Sequence, residues 1–147
     1  MREYKREREI LHTMTQCKHF RSIQHQTCQV GINIRQLVGG DDFGWARRMP
    51  CLSSEHCTVE CESRELHTRE EAEADYEKTQ QIMQQLTQAV TITRQDATDR
   101  GLMIGRGGVG EVGCPVCSTG TIKYSVASVN GHMWGKCSTA GCVAWME

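Results

Sequence analysis

The chain has 147 residues, enough for one ordinary domain, yet only 38% of them are hydrophobic and only eight are aromatic (three Trp, three Tyr and two Phe). This composition argues against one large apolar core, and the nine cysteines and six histidines indicate metal ions as the substitute. The net charge of −1 predicts no polyanionic partner by itself. The basic residues are nevertheless concentrated in residues 1–48, where nine Lys or Arg stand against five acids.

The N-terminal residues, Met1 to Glu9, alternate basic and acidic side chains and contain no apolar signal segment. We therefore expect a cytoplasmic, reducing location, in which cysteines at ligand spacing bind metal rather than form disulfides. The sequence also has no run of about 18 apolar residues, so it predicts no membrane-spanning segment.

Residues 1–15 form a charged N-terminal segment whose i,i+4 charge pairs predict a short, frayed helix. Residues 16–62 contain five cysteines but no sustained helical period. Loops and short elements organised by a metal ion fit this pattern, so we assign these residues to an N-terminal zinc-binding module.

A long helix is predicted within residues 63–100. Thr68 and Glu71 stand at capping-box spacing, which marks the start of a helix. Apolar or small residues then recur at heptad positions, and such a stripe is expected to be buried against another helix or another part of the chain. We expect a homodimer through the 69–93 helix, with packing on the ends of the same chain as the alternative. The stripe consists of Ala72, Tyr76, Thr79, Met83, Leu86 and Val90.

Residues 101–113 contain six glycines and are predicted to be a flexible linker. Residues 114–147 then show the spacing C-x2-C-x19-C-x4-C, formed by Cys114, Cys117, Cys137 and Cys142. Two tight cysteine turns joined by a hairpin can surround one zinc ion, so the spacing predicts a C-terminal zinc ribbon. A thioredoxin-like redox motif would need a βαβ context, and four thiolates leave a catalytic zinc no open position. The sequence therefore predicts no enzyme.

The ligands of the N-terminal site are less sharply defined. Four thiolates can converge across the intervening loops, and our first choice is Cys17, Cys28, Cys51 and Cys61. His25 is an alternative ligand, and Cys57 could replace Cys61. Free buried cysteines without metal remain the other interpretation.

Several short segments of the chain form a recognisable pattern. They are Cys17-Lys-His-Phe20, Ile23-Gln-His25 with Cys28, Gly39-Gly40 to Gly44-Trp45-Ala46, Pro50-Cys51, and Asn130-Gly131-His132 with Met-Trp134-Gly-Lys-Cys137. Together they resemble small zinc-ribbon proteins of tailed bacteriophages and prophages, whose function is unassigned. The likeness covers most of residues 17–65 and 113–147. It implies a phage origin, a bacterial host cytoplasm, and Cys61 rather than Cys57 as the constant cysteine.

Together these features predict an α+β fold in small metal-stabilised pieces: an N-terminal zinc module, one long central helix and C-terminal four-cysteine β-hairpins, with two Zn²⁺ per chain. The function we expect is a non-enzymatic accessory protein that binds a host protein of the defence or transcription machinery. The alternative is a nucleic-acid-binding regulator. Its candidate contact residues are Arg6, Arg8, Lys18, Arg21, Arg47, Arg48 and Trp134.

Overall fold

A computed structural model of the chain describes residues 2–22, 24–39, 44–52, 57 and 59–147. These residues form four helices and one antiparallel sheet, so the α+β class and the long central helix are confirmed. The helices are α1 (Arg2–Met14), α2 (Ile34–Val38), α3 (Trp45–Arg48) and α4 (Arg69–Asp99). The strands are β1 (Gly108–Gly113), β2 (Thr121–Val126), β3 (Met133–Cys137) and β4 (Ala144–Met146).

Among the described residues, no helix combines the length and the apolar character needed to cross a membrane.

The chain divides into two compact units, Met1–Glu77 and Lys78–Glu147. The first unit holds α1, α2, α3 and the first turns of α4, whereas the second holds the rest of α4 and the sheet. The boundary therefore falls inside α4, and the predicted helical segment 63–100 contributes residues to both units.

In the first unit, α1 is tied to the start of α4 by charged side chains. The Arg69 guanidinium donates to the Glu7 carboxylate at 2.8 Å, and the Arg6 guanidinium lies 5.8 Å from the centre of the Tyr76 ring. Ile10 of α1 and Ala72 of α4 are both fully buried. The predicted N-terminal helix is thus anchored by packing as well as by its own charge pairs.

A separate core of the first unit is built largely from cysteines. Its buried members are Cys17, Cys28, Ile34, Met49 and Cys51. Three of these five side chains are small thiols. Larger apolar side chains, among them Phe20 and Trp45, are partly buried and pack against them.

Helix α4 begins where the capping box predicts. The Thr68 N–H donates to Glu71 Oε2 at 2.8 Å, and the Glu71 N–H donates to Thr68 Oγ1 at 3.3 Å. These two bonds satisfy amides that a helix N-terminus leaves unpaired.

The heptad stripe on α4 is not one continuous buried seam. Thr79 is exposed, and Met83 keeps 52% of its surface exposed. The buried side chains in the C-terminal half of the helix are instead Ala89, Thr93 and Ala97, which recur every four residues and face the sheet. Small residues are needed there because they let the helix approach the strands closely. The homodimer stays a prediction.

The sheet has the order β1-β2-β3-β4, with every neighbouring pair antiparallel. Alternate side chains of β2, namely Ile122, Tyr124 and Val126, are buried on the face that packs against Ala89 and Ala97. The Tyr124 hydroxyl donates to the Asp96 carboxylate of α4, which fixes the helix to the sheet.

The predicted linker 101–113 requires a correction, because β1 occupies its second half and pairs along its whole length with β2. Gly110 has a packing role there: a Cβ on this residue would lie 2.2 Å from Cζ of Tyr124. The glycine content of residues 108–113 thus serves strand packing, because Gly110 leaves room for the Tyr124 ring beside it.

Candidate metal centre

The four C-terminal cysteines form one cluster in which all Sγ atoms lie within 4.8 Å of one another. The Cys114 and Cys142 sulfurs are 3.6 Å apart, and those of Cys117 and Cys137 are 3.7 Å apart. A tetrahedral site with metal–sulfur bonds of about 2.3 Å has sulfur–sulfur edges of about 3.8 Å. A disulfide would need about 2.0 Å, and all nine cysteines are free. Two of the six sulfur–sulfur distances thus match a tetrahedral four-thiolate site, and the other four are no longer than 4.8 Å, so the cluster could hold one metal ion.

The sheet brings the two halves of this cluster together. Cys114 follows β1 directly and Cys137 ends β3, while Cys137 is the register partner of Ile122 in β2. The Cys114 N–H donates to the Gly120 carbonyl, and the Cys137 N–H donates to the Val143 carbonyl, each at 2.9 Å. Each pair of cysteines is therefore held in a tight turn closed by a backbone hydrogen bond.

Backbone amides point at the sulfurs. The Gly120 N–H donates to Cys117 Sγ at 3.3 Å, and the Thr139 N–H donates to Cys137 Sγ at 3.4 Å. A Cβ on Gly120 would lie only 2.7 Å from Cys137 Sγ and 3.1 Å from Cys117 Sγ. Only glycine leaves room for the sulfurs at this point. Neither Gly120 nor Thr139 was identified from the sequence, although a glycine three residues after a cysteine knuckle is a usable signal.

The thiols of the cluster differ in acidity. The hydrogen bond between Cys117 Sγ and the Thr139 hydroxyl, with those to the Thr119 and Gly120 amides, lowers the pKa of Cys117 to about 5. Burial raises the pKa of Cys142 to about 12, and hydrogen bonding with the neighbouring thiols adds to the increase. Four thiolates this close repel one another, and a divalent cation among them removes that repulsion. The residues present therefore fit a bound metal ion.

Three of the cysteines predicted for the N-terminal site share the buried core of the first unit, and the Cys17 N–H donates to the Cys51 carbonyl at 2.8 Å. Burial raises the pKa of Cys51 to about 11, and the nearby thiols of Cys17, Cys61 and Cys28 raise it further. The other three predicted ligands thus all lie close enough to Cys51 to affect the pKa of its thiol. Among the described residues, however, only the C-terminal cysteines form a group whose ligand atoms all approach within 4.8 Å.

The two alternative N-terminal ligands have other partners. Cys57 Sγ donates to the Val59 carbonyl at 3.2 Å, and His25 is exposed, with its Nδ1 2.7 Å from Ser22 Oγ. His56 and the other residues of 53–56 lie outside the described residues.

Two of the cations predicted to contact nucleic acid are paired with carboxylates. Lys18 donates to Glu65 and to Glu71, each at 2.9 Å, and Arg6 lies 4.0 Å from the Glu77 carboxylate. Arg48 is half-buried. The predicted contacts with exposed side chains are Arg8, Arg21, Arg47 and Trp134.

Comparison of the chain with protein-family models, with curated proteins and with solved structures gives no match.

Proposed function

We propose that this chain is a non-catalytic zinc-binding protein whose C-terminal sheet is a zinc ribbon. The observation that carries the proposal is the convergence of four thiols, Cys114, Cys117, Cys137 and Cys142, at tetrahedral spacing. Four thiolates favour zinc among the common divalent ions, and they fill its coordination shell. No position is then left for a reactive water, so the role of the metal is structural.

The proposal includes a second zinc ion in the first unit, bound by Cys17, Cys28, Cys51 and Cys61. Its support is the buried core that Cys17, Cys28 and Cys51 share, together with the effect of the Cys17, Cys28 and Cys61 thiols on the pKa of Cys51. Zinc would offset the free-energy cost of ionising these buried thiols, because it binds the thiolate form of each ligand.

Elemental analysis of the purified full-length chain tests both sites. We expect two zinc ions per chain, one of them lost in Cys137→Ser and the other in Cys51→Ser. Cys57→Ser is the matched control and should retain both. If the unmodified chain holds only one zinc ion and Cys51→Ser retains it, the N-terminal site alone is refuted. If Cys137→Ser holds as much zinc as the unmodified chain, the C-terminal site is refuted.

For the biological role, we propose an accessory protein that acts in the cytoplasm of a bacterial host by binding a host protein. The support is the resemblance to phage zinc-ribbon proteins, together with apolar side chains exposed on α4 outside the heptad stripe, where Ile82 keeps 52% and Ile92 39% of its surface exposed. A tagged zinc-loaded chain should recover one host protein in stoichiometric amount, and the chelated chain should not. Recovery of none would contradict this role.

Nucleic-acid binding is a second candidate function, and one observation favours it. The ion pairs of Arg6 and Lys18 weaken the case for the basic N-terminal region. The outer face of the sheet, in contrast, presents an exposed tryptophan beside two lysines.

A further inference from the structure

The sheet has one face on α4 and one face in solvent. Two rows of side chains cross the solvent face, as the strand register shows. The first row is mainly apolar: Val109 is 72% exposed, Trp134 45% and Met146 82%. Ser125 lies between Val109 and Trp134 in this row. Leaving the apolar surface of an exposed tryptophan in water costs free energy, so a ligand that covers this row of side chains would be favoured.

The second row is charged. Lys123 and Lys136 are direct register partners on β2 and β3, and Glu111 stands opposite Lys123 on its other side. Like charges directly opposite each other are destabilising in a sheet, and one carboxylate compensates only one of them. The row therefore carries a net positive charge that an anionic ligand can neutralise.

A shallow depression of about 440 Å³ lies on this face. Because Ser125 is small, it leaves a notch between Val109 and Trp134, with Lys123 at its border. Arg100 lines the same depression and adds a further cation, partly balanced by Asp96 at 3.5 Å. The Glu111 carboxylate lines it as well. A flat ring can enter the notch and lie against the indole, with Lys123 and Arg100 close by.

Resting on the second candidate function, we infer that this outer face binds single-stranded nucleic acid, with a base stacked on Trp134 and the adjacent phosphates held by Lys123 and Lys136. Lys136 is two residues from Trp134 on the same strand, about 7 Å away. Lys123 lies about 5 Å across from Lys136, so both long side chains reach the backbone of the stacked nucleotide. Stacking requires a base that is not already paired, so the face selects single strands over duplexes.

Fluorescence anisotropy with labelled oligo(dT) and oligo(U) at several salt concentrations tests the inference on the full-length zinc-loaded protein. Trp134→Leu keeps the bulk but loses the aromatic face, so its affinity should fall about 5- to 150-fold, while Trp134→Phe should retain most of it. Replacing both Lys123 and Lys136 by Ala should make the slope of log K against log salt less steep by about 1.4. Lys78→Ala is the control: it removes an exposed lysine of α4 instead of the sheet, and it should leave the affinity nearly unchanged.

Zinc content and circular dichroism establish that each variant is folded. Quenching of tryptophan emission by the oligonucleotide gives a second readout, which Trp134→Phe should largely abolish while binding persists. The inference is overturned if the protein does not bind at low salt, or if Trp134→Leu binds as the unmodified protein does. It is also overturned if oligo-glutamate of equal charge competes as well as the oligonucleotide, since the face would then fit an acidic protein segment.

Discussion

Gly120→Ala probes the metal centre without removing any ligand. The added Cβ lies 2.7 Å from Cys137 Sγ, and ordinary contacts begin at 3.4 Å, so the sulfur has to move by the difference, about 0.7 Å. Metal–ligand distances tolerate only about 0.2 Å. Overpacking of this kind costs about 1–3 kcal/mol. The C-terminal site should therefore bind zinc about 5- to 150-fold more weakly.

Competition for zinc between the full-length protein and a chromophoric chelator measures the change. We expect one of the two zinc-binding constants to fall and the other to stay as it was. Gly113→Ala is the matched control, because it lies beside Cys114 and a Cβ there meets nothing within 4 Å. If Gly120→Ala bound zinc as tightly as Gly113→Ala, the claim that only glycine at position 120 leaves room for the cysteine sulfurs would be refuted.

Three further predictions follow from the packing, the ion pairs and the exposed helix face. Gly110→Ala, whose Cβ would lie 2.2 Å from Cζ of Tyr124, should cost about 2 kcal/mol. In a circular dichroism melt of the whole chain this lowers the melting temperature by about 4–8 °C, and a shift under about 2 °C would contradict this packing. Lys18 lowers the pKa of Glu71 below 4.5, so the stability this pair contributes is present at neutral pH and is lost as the pH falls through the lowered pKa. Urea titrations should show that Lys18→Gln is less stable than the unmodified protein at pH 7 and that the difference vanishes in acid. A difference in stability that persists at low pH would contradict the contribution of the Lys18–Glu71 ion pair. The protein should sediment as a dimer and Met83→Lys as a 16.6 kDa monomer, and a monomeric unmodified protein would exclude the α4 interface.

The features that local spacing determines were predictable from the sequence. The box formed by Thr68 and Glu71 predicts the start of α4 because both partners lie within one turn. The spacing of Cys114 and Cys117 predicts a metal knuckle because a C-x2-C turn can aim both sulfurs at one point.

The features that depend on tertiary packing were not predictable from the sequence. Strand β1 is rich in glycine, and its stability depends on the Tyr124 ring and on pairing with β2, neither of which leaves a signal in the segment itself. The burial of Ala89 instead of Met83 likewise depends on where the sheet lies. For the N-terminal cysteines, long loops separate the thiols, so spacing alone does not single out one ligand set.

Zinc-edge X-ray absorption of the Cys51→Ser chain, in which only the C-terminal site should be loaded, tests the central claim most directly. The account predicts one zinc ion with four sulfur neighbours at about 2.3 Å. Nitrogen or oxygen in that first shell, or a metal-free chain whose last four sulfurs are paired as cystines, would contradict it.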